Sequence, residues 1–148
     1  MLAQAKPLYR WGMLRDPTEI MLTGGEPQLV DLHPYIDAVR MMYPLTTLYL
    51  YTTLYLESTP ETLYNIDGVQ FTIHQKFFPE DVKNFNRFQK AVEEVKTVHT
   101  EFSARLVVVQ GAPVLNFDIS DTWDSVRFIP WIEDCPLPVD EALWMMPT

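Results

Sequence analysis

The residues whose types and spacing could do chemistry are gathered in Thr23-Gly24-Gly25-Glu26-Pro27, directly after the short apolar run Glu19-Ile20-Met21-Leu22. Two adjacent glycines let a ligand approach the backbone closely, and the amides and carbonyls released at the end of a strand can meet a polar head group. Glu26 adds a carboxylate suited to an ammonium and repulsive to a phosphate. The combination favours a zwitterion such as an amino acid. The same five residues would also make a plain turn, in which a glycine takes a positive φ and Glu26 caps the helix that follows.

Other chemistries lack their residues. His33, His74 and His99 fall on three different predicted elements, without the carboxylate or cysteine spacing of a metal site. Cys135 is the single cysteine, which excludes an internal disulfide framework, a four-cysteine zinc site and a cluster held by three cysteines of this chain. Its neighbour Asp134 would raise the thiol pKa, against a nucleophilic role. No Ser/His/Asp order, phosphate-loop spacing or dinucleotide Gly-x-Gly-x-x-Gly occurs.

Twenty acidic against 11 basic side chains give a net charge of -9, opposed to the phosphate-neutralising surface that nucleic acid requires. Seven of the acids lie beyond residue 110, where Arg127 is the only base. No stretch approaches the ~20 consecutive apolar residues of a membrane span, and the start lacks the layout of a secretory signal, so a cytoplasmic location is expected.

A diglycine site needs a strand behind it and a helix after it. Glu19 to Thr23 reads as a buried strand stopped by Gly24-Gly25. Leu29, Leu32, Ile36, Val39 and Tyr43 then share a helical face, with Pro34 in the first turns and Pro44 closing the segment. Leu45 to Leu56 predicts a strand buried on both faces. Ser58-Thr59-Pro60-Glu61 opens a brief helix through Leu63. Val69 to His74 alternates as a third strand, and Pro79-Glu80-Asp81 opens a helix with Val82, Phe85, Phe88, Val92 and Val95 on one face. Arg105 to Val109 is a fourth strand.

This alternation is that of repeated β/α units, so the expected fold class is α/β with a mostly parallel sheet. One domain spans residues 1–148: an N-terminal extension over 1–18, a β/α core over 19–112 and a C-terminal segment over 113–148. In that segment 114–119 and 125–129 are further strand candidates, prolines punctuate an irregular, acidic tail, and Trp123, Trp131 and Trp144 should pack it onto the body.

Leu22-Thr23-Gly24-Gly25-Glu26-Pro27, followed by an amphipathic helix, resembles the second β/α unit of the radical S-adenosylmethionine enzymes, whose Gly-Gly-Glu motif contacts the amino group of the methionine moiety. Leu50-Tyr51-Thr52-Thr53-Leu54 sits where that family has a strand ending in Thr-Asn-Gly. Asp67 to His74 resembles the next strand, with Thr72 in place of a serine hydroxyl. The resemblance covers about residues 19 to 110 and implies part of a partial barrel, with S-adenosylmethionine held by Thr23, Gly24, Gly25, Glu26 and Thr72.

The chain departs from that pattern in two places. The family's Cys-x3-Cys-x2-Cys loop is missing, since residues 1–22 hold neither cysteine nor histidine, and Thr53-Leu54 replaces Asn-Gly. The resemblance therefore implies a core truncated at its start that binds S-adenosylmethionine or a related amino-acid-bearing ligand without a [4Fe-4S] cluster and without autonomous radical chemistry. Two alternatives stand beside it. One is a non-catalytic interaction subunit or inhibitor that contacts a protein partner, or a second copy, through an exposed sheet edge. The other is one half of a split enzyme whose cysteine-bearing half is a separate chain.

Overall fold

The computed structural model describes residues 6–7, 18–74, 79–112, 117–130 and 144–145. Five parallel strands form one sheet in chain order: β2 (Glu19–Leu22), β3 (Thr47–Thr52), β4 (Gly68–Ile73), β5 (Ser103–Val109) and β6 (Ser125–Ile129). Helices α1 (His33–Met42), α2 (Thr59–Tyr64) and α3 (Pro79–Val98) occupy the connections from β2 to β5. Two-residue strands β1 (Lys6–Pro7) and β7 (Trp144–Met145) pair antiparallel as a separate ladder. No helix among the described residues is long and apolar enough to cross a membrane.

A parallel sheet whose strands succeed one another in a single direction, joined by crossovers of one hand, carries its helices on one face. The core follows that geometry. Leu48 and Leu50, Val69, Phe71 and Ile73, and Ala104, Leu106 and Val108 share one strand parity and pack with Ile36, Val39, Leu63, Phe85, Phe88, Val92 and Val95 from the helices. The opposite parity, Tyr49, Tyr51, Gln70, Thr72, Arg105 and Val107, forms a second face that carries no helix among the described residues. On it Tyr49 lies across Gly68: a Cβ at that glycine would run into the tyrosine ring and sit 2.7 Å from the Ser103 carbonyl oxygen.

The α/β class and the parallel sheet agree with the sequence reading, but three local expectations do not. The Leu45 to Leu56 run is a strand only from Thr47 to Thr52, and Leu45 is 98% exposed. Beyond Thr52 the backbone turns away to bond with the diglycine loop and Asn84, so Leu54 and Leu56 leave the sheet. Leu29 sits in a short 3-10 turn, Pro27–Leu29, and is 74% exposed instead of joining the α1 face. Residues 117–119 are irregular, and 113–116 lie outside the described residues.

The segment between β5 and β6 is nevertheless fixed. Trp123 is buried, stacked on Phe85 and Phe88 with centroids 6.0 and 6.4 Å away. Buried Gln89 of α3 accepts from the Trp123 indole N–H at 2.8 Å and the Ser120 amide at 3.0 Å, and donates to the Asp118 carbonyl at 2.9 Å. Trp131 and the Trp144 side chain lie outside what the structure describes.

Candidate functional site

The loop after β2 stands at the carboxyl end of the sheet, where open parallel sheets bind ligands. Gly24 takes φ +134°, a region that side chains disfavour, and this turns the chain over the strand end. Gly24 and Gly25 are exposed, and nothing lies within 4 Å of where a Cβ would stand on either. The backbone there is open to a ligand. Thr23 is exposed beside them.

Glu26 has a different task. As N-cap of the 3-10 turn it accepts the Gln28 amide on Oε2 at 2.9 Å. Its Oε1 accepts the Thr53 amide at 2.8 Å and the Thr52 hydroxyl at 2.7 Å. A carboxylate offers about four lone-pair positions, so most of its capacity is spent tying the β2 loop to the end of β3. Behind it the buried Gln28 amide donates to Thr52 Oγ1 at 2.9 Å and to the Leu54 carbonyl, while its oxygen accepts from Thr59 Oγ1 at 2.6 Å. Thr59 Oγ1 in turn accepts the Leu56 amide at 2.8 Å. One network thus joins the diglycine loop, the end of β3 and the start of α2.

Thr72 reaches the same end of the sheet two strands away. It lines a small cleft of about 80 Å³ with Thr53, His74, Asp81 and Asn84, and with the apolar Phe71, Ile73 and Phe117. Asn84 holds the β3 exit in place, accepting from the Tyr55 amide at 2.7 Å and donating to the Thr53 carbonyl at 2.9 Å. Thr53 is the hinge of the arrangement: it bonds Glu26 on one side and walls the cleft on the other. The five residues singled out from sequence therefore share one end of the sheet, with Thr53 between the Gly-Gly-Glu loop and Thr72.

A second hollow, about 270 Å³, lies at the carboxyl ends of β5 and β6. Its lining is apolar apart from Gln110, with Val108, Phe128 and Ile129 prominent, so it is the larger space and the poorer in recognition chemistry. An enclosed small-molecule pocket usually has ~300–1,000 Å³. The smaller cleft can hold only a head group, with the rest of any ligand lying over the open diglycine.

Sequence reasoning missed Gln28, Thr52, Thr53, Thr59, Asp81 and Asn84. Thr52 and Thr53 had a visible cue, being adjacent hydroxyls near the end of a predicted strand. Gln28 and Asn84 had none, because their partners are 24 to 31 residues away.

The donor set does not fit a [4Fe-4S] cluster, which needs several thiolates where this chain has one cysteine. Among the described residues no three His, Cys, Asp or Glu side chains gather as metal ligands. No protein-family model, curated protein or solved structure matches the chain.

Proposed function

We propose that this chain is a ligand-binding α/β protein that holds S-adenosylmethionine, or a related amino-acid-bearing ligand, at the carboxyl end of its sheet, with no iron-sulfur cluster of its own. The single observation that carries the reading is the open diglycine, turned by the positive φ of Gly24 and anchored through Glu26 beside the Thr53–Thr72 cleft. With Glu26 engaged internally, the ammonium would meet the acidic wall of the cleft at Asp81, and the rest of the ligand would lie over the open diglycine. Thr72 and Asn84 would flank the head group.

Isothermal titration with S-adenosylmethionine tests this. Gly25→Leu is the informative variant, because a Cβ there meets nothing and the fold should be retained while the new side chain fills the ligand's space. Wild-type binding that falls about tenfold or more in Gly25→Leu is expected. Absence of heat at millimolar ligand, or equal binding by both proteins, rejects it.

A second reading, protein contact at a sheet edge, is favoured by β6, an outer strand of the sheet among the described residues. Its Val126 and Phe128 are on the parity of the core yet 40% and 68% exposed. Unpaired edges with apolar side chains invite another chain. Under this reading light scattering finds a dimer that Phe128→Lys dissociates; a monomeric wild type at high concentration counts against it.

A further inference from the structure

The face opposite the helices carries two opposite charges, Arg105 and Glu19, that are brought together without a direct hydrogen bond among the described residues. Arg105, near the amino end of β5, lays its guanidinium on the Tyr49 ring, 4.6 Å from the centroid, and donates to the Tyr49 hydroxyl at 3.3 Å. Tyr49 can lie flat only because residue 68 is glycine. The guanidinium is thus held by a stack of three residues from three neighbouring strands. Glu19, at the start of β2, stands 4.0 Å from it, inside the range of an ion pair and beyond that of a hydrogen bond.

A guanidinium has five N–H donors, and among the described residues Arg105 uses one of its own on Tyr49. Glu19 accepts no side-chain hydrogen bond there. Both side chains stay about two-fifths open to solvent, at 35% and 43%. Beside Arg105 in the cross-strand row lies Gln70, half-buried and on the same face. Met21, two residues along from Glu19, is paired with Tyr49 and supplies apolar surface next to the charges.

We infer that Arg105 and Glu19 form a second binding site, for the zwitterionic head of a free apolar L-amino acid. The ligand carboxylate takes the open edge of the guanidinium fork, its ammonium takes Glu19, and its side chain lies on Met21. A planar fork matches a carboxylate in two parallel hydrogen bonds. The neighbouring glutamate also discriminates, since it penalises a doubly charged anion and rewards an ammonium. The site lies toward the amino ends of the strands, apart from the diglycine loop, and stands or falls independently of it.

The test is titration of the full chain with L-leucine, N-acetyl-L-leucine and L-leucine amide. Binding of L-leucine is expected, about tenfold or more weaker for each blocked form and for each of Arg105→Gln and Glu19→Gln. Arg87→Gln, on the exposed side of α3, should leave it unchanged. Glu19→Gln, at a half-exposed strand start, keeps the test decisive if Arg105→Gln fails to fold. Equal binding of N-acetyl-L-leucine would reduce the site to a plain anion site and overturn the inference. No binding of L-leucine, binding indifferent to Glu19→Gln, or an equal loss in Arg87→Gln would overturn it as well.

Discussion

Glu26 illustrates how one side chain can look like a ligand contact in sequence and act as a brace in three dimensions. Its carboxylate receives the amides of Gln28 and Thr53 and the hydroxyl of Thr52. Removing it strands the two backbone amides in a partly buried loop, and an unmet donor of that kind costs about 1–3 kcal/mol. Glu26→Ala should therefore lower the unfolding free energy by about 2 kcal/mol, read as a drop in urea midpoint at constant slope. A glutamate kept only for a ligand would leave the midpoint unchanged or raised. Thr52→Val should cost about 1–2 kcal/mol by the same assay, because its hydroxyl donates to Glu26 while accepting from Gln28 and the Leu54 amide.

Elements are held to one another by polar ties of very different burial, and the difference sets what each can be asked to do. At the surface, His33 opens α1 with Nδ1 3.1 Å from Asp31 and Nε2 3.4 Å from Glu61 of α2. The hydrogen bond to Asp31 is the main reason its pKa is raised; desolvation opposes it, and the charge of Glu61 adds to it. A raised value means the tie is fully present below the ordinary histidine pKa of ~6.5 and is lost as pH rises through His33's own higher one. An NMR titration of the ring should show Asp31→Asn lowering that pKa more than Glu61→Gln does. In the interior, Gln89 clamps the segment before β6 to α3. Gln89→Leu leaves the buried Trp123 indole N–H and the Ser120 amide without their acceptor, so a loss of about 2–3 kcal/mol and faster exchange of the Ser120 amide are expected. The helix α3 was legible because Phe85, Phe88, Val92 and Val95 repeat at helical spacing. The clamp was not, since a lone glutamine on an apolar face carries no periodicity. Thr53 and Leu54 failed as strand residues for a related reason: their composition favours β structure, and the tertiary bond from the Thr53 amide to Glu26 overrides it.

At the scale of the whole molecule, the order of elements was readable because each β/α unit announces itself by local pattern, and sequential parallel strands are the simplest outcome of such units. What pattern could not disclose is how neighbouring strands are pinned in register, and here the fold repeats a device. Asp67, just before β4, accepts the Leu48 amide at 2.9 Å and pairs with Arg40 of α1 at 3.0 Å. Asp124, just before β6, accepts the Ala104 amide at 2.7 Å and pairs with Lys96 of α3 at 2.9 Å. Each aspartate ties the start of its strand to the strand before it and to the helix behind that strand. Burial pushes the Asp124 carboxyl upward, but the Ala104 amide, the hydrogen bond from Lys96 and the charge of Lys96 together outweigh it and hold the pKa below the usual range. A lowered value means ionised Asp124 stabilises the fold fully above the unfolded pKa of ~3.9, and that contribution disappears as pH falls through its lower folded value. Asp124→Asn can still accept the Ala104 amide but gives up the charge on Lys96. At neutral pH the variant should be less stable than the wild type, and the gap should close steadily on acidification below about pH 4. Urea unfolding of both proteins across that range measures it; a gap that stays constant with pH would show that the carboxylate charge contributes nothing to holding β6 on the sheet.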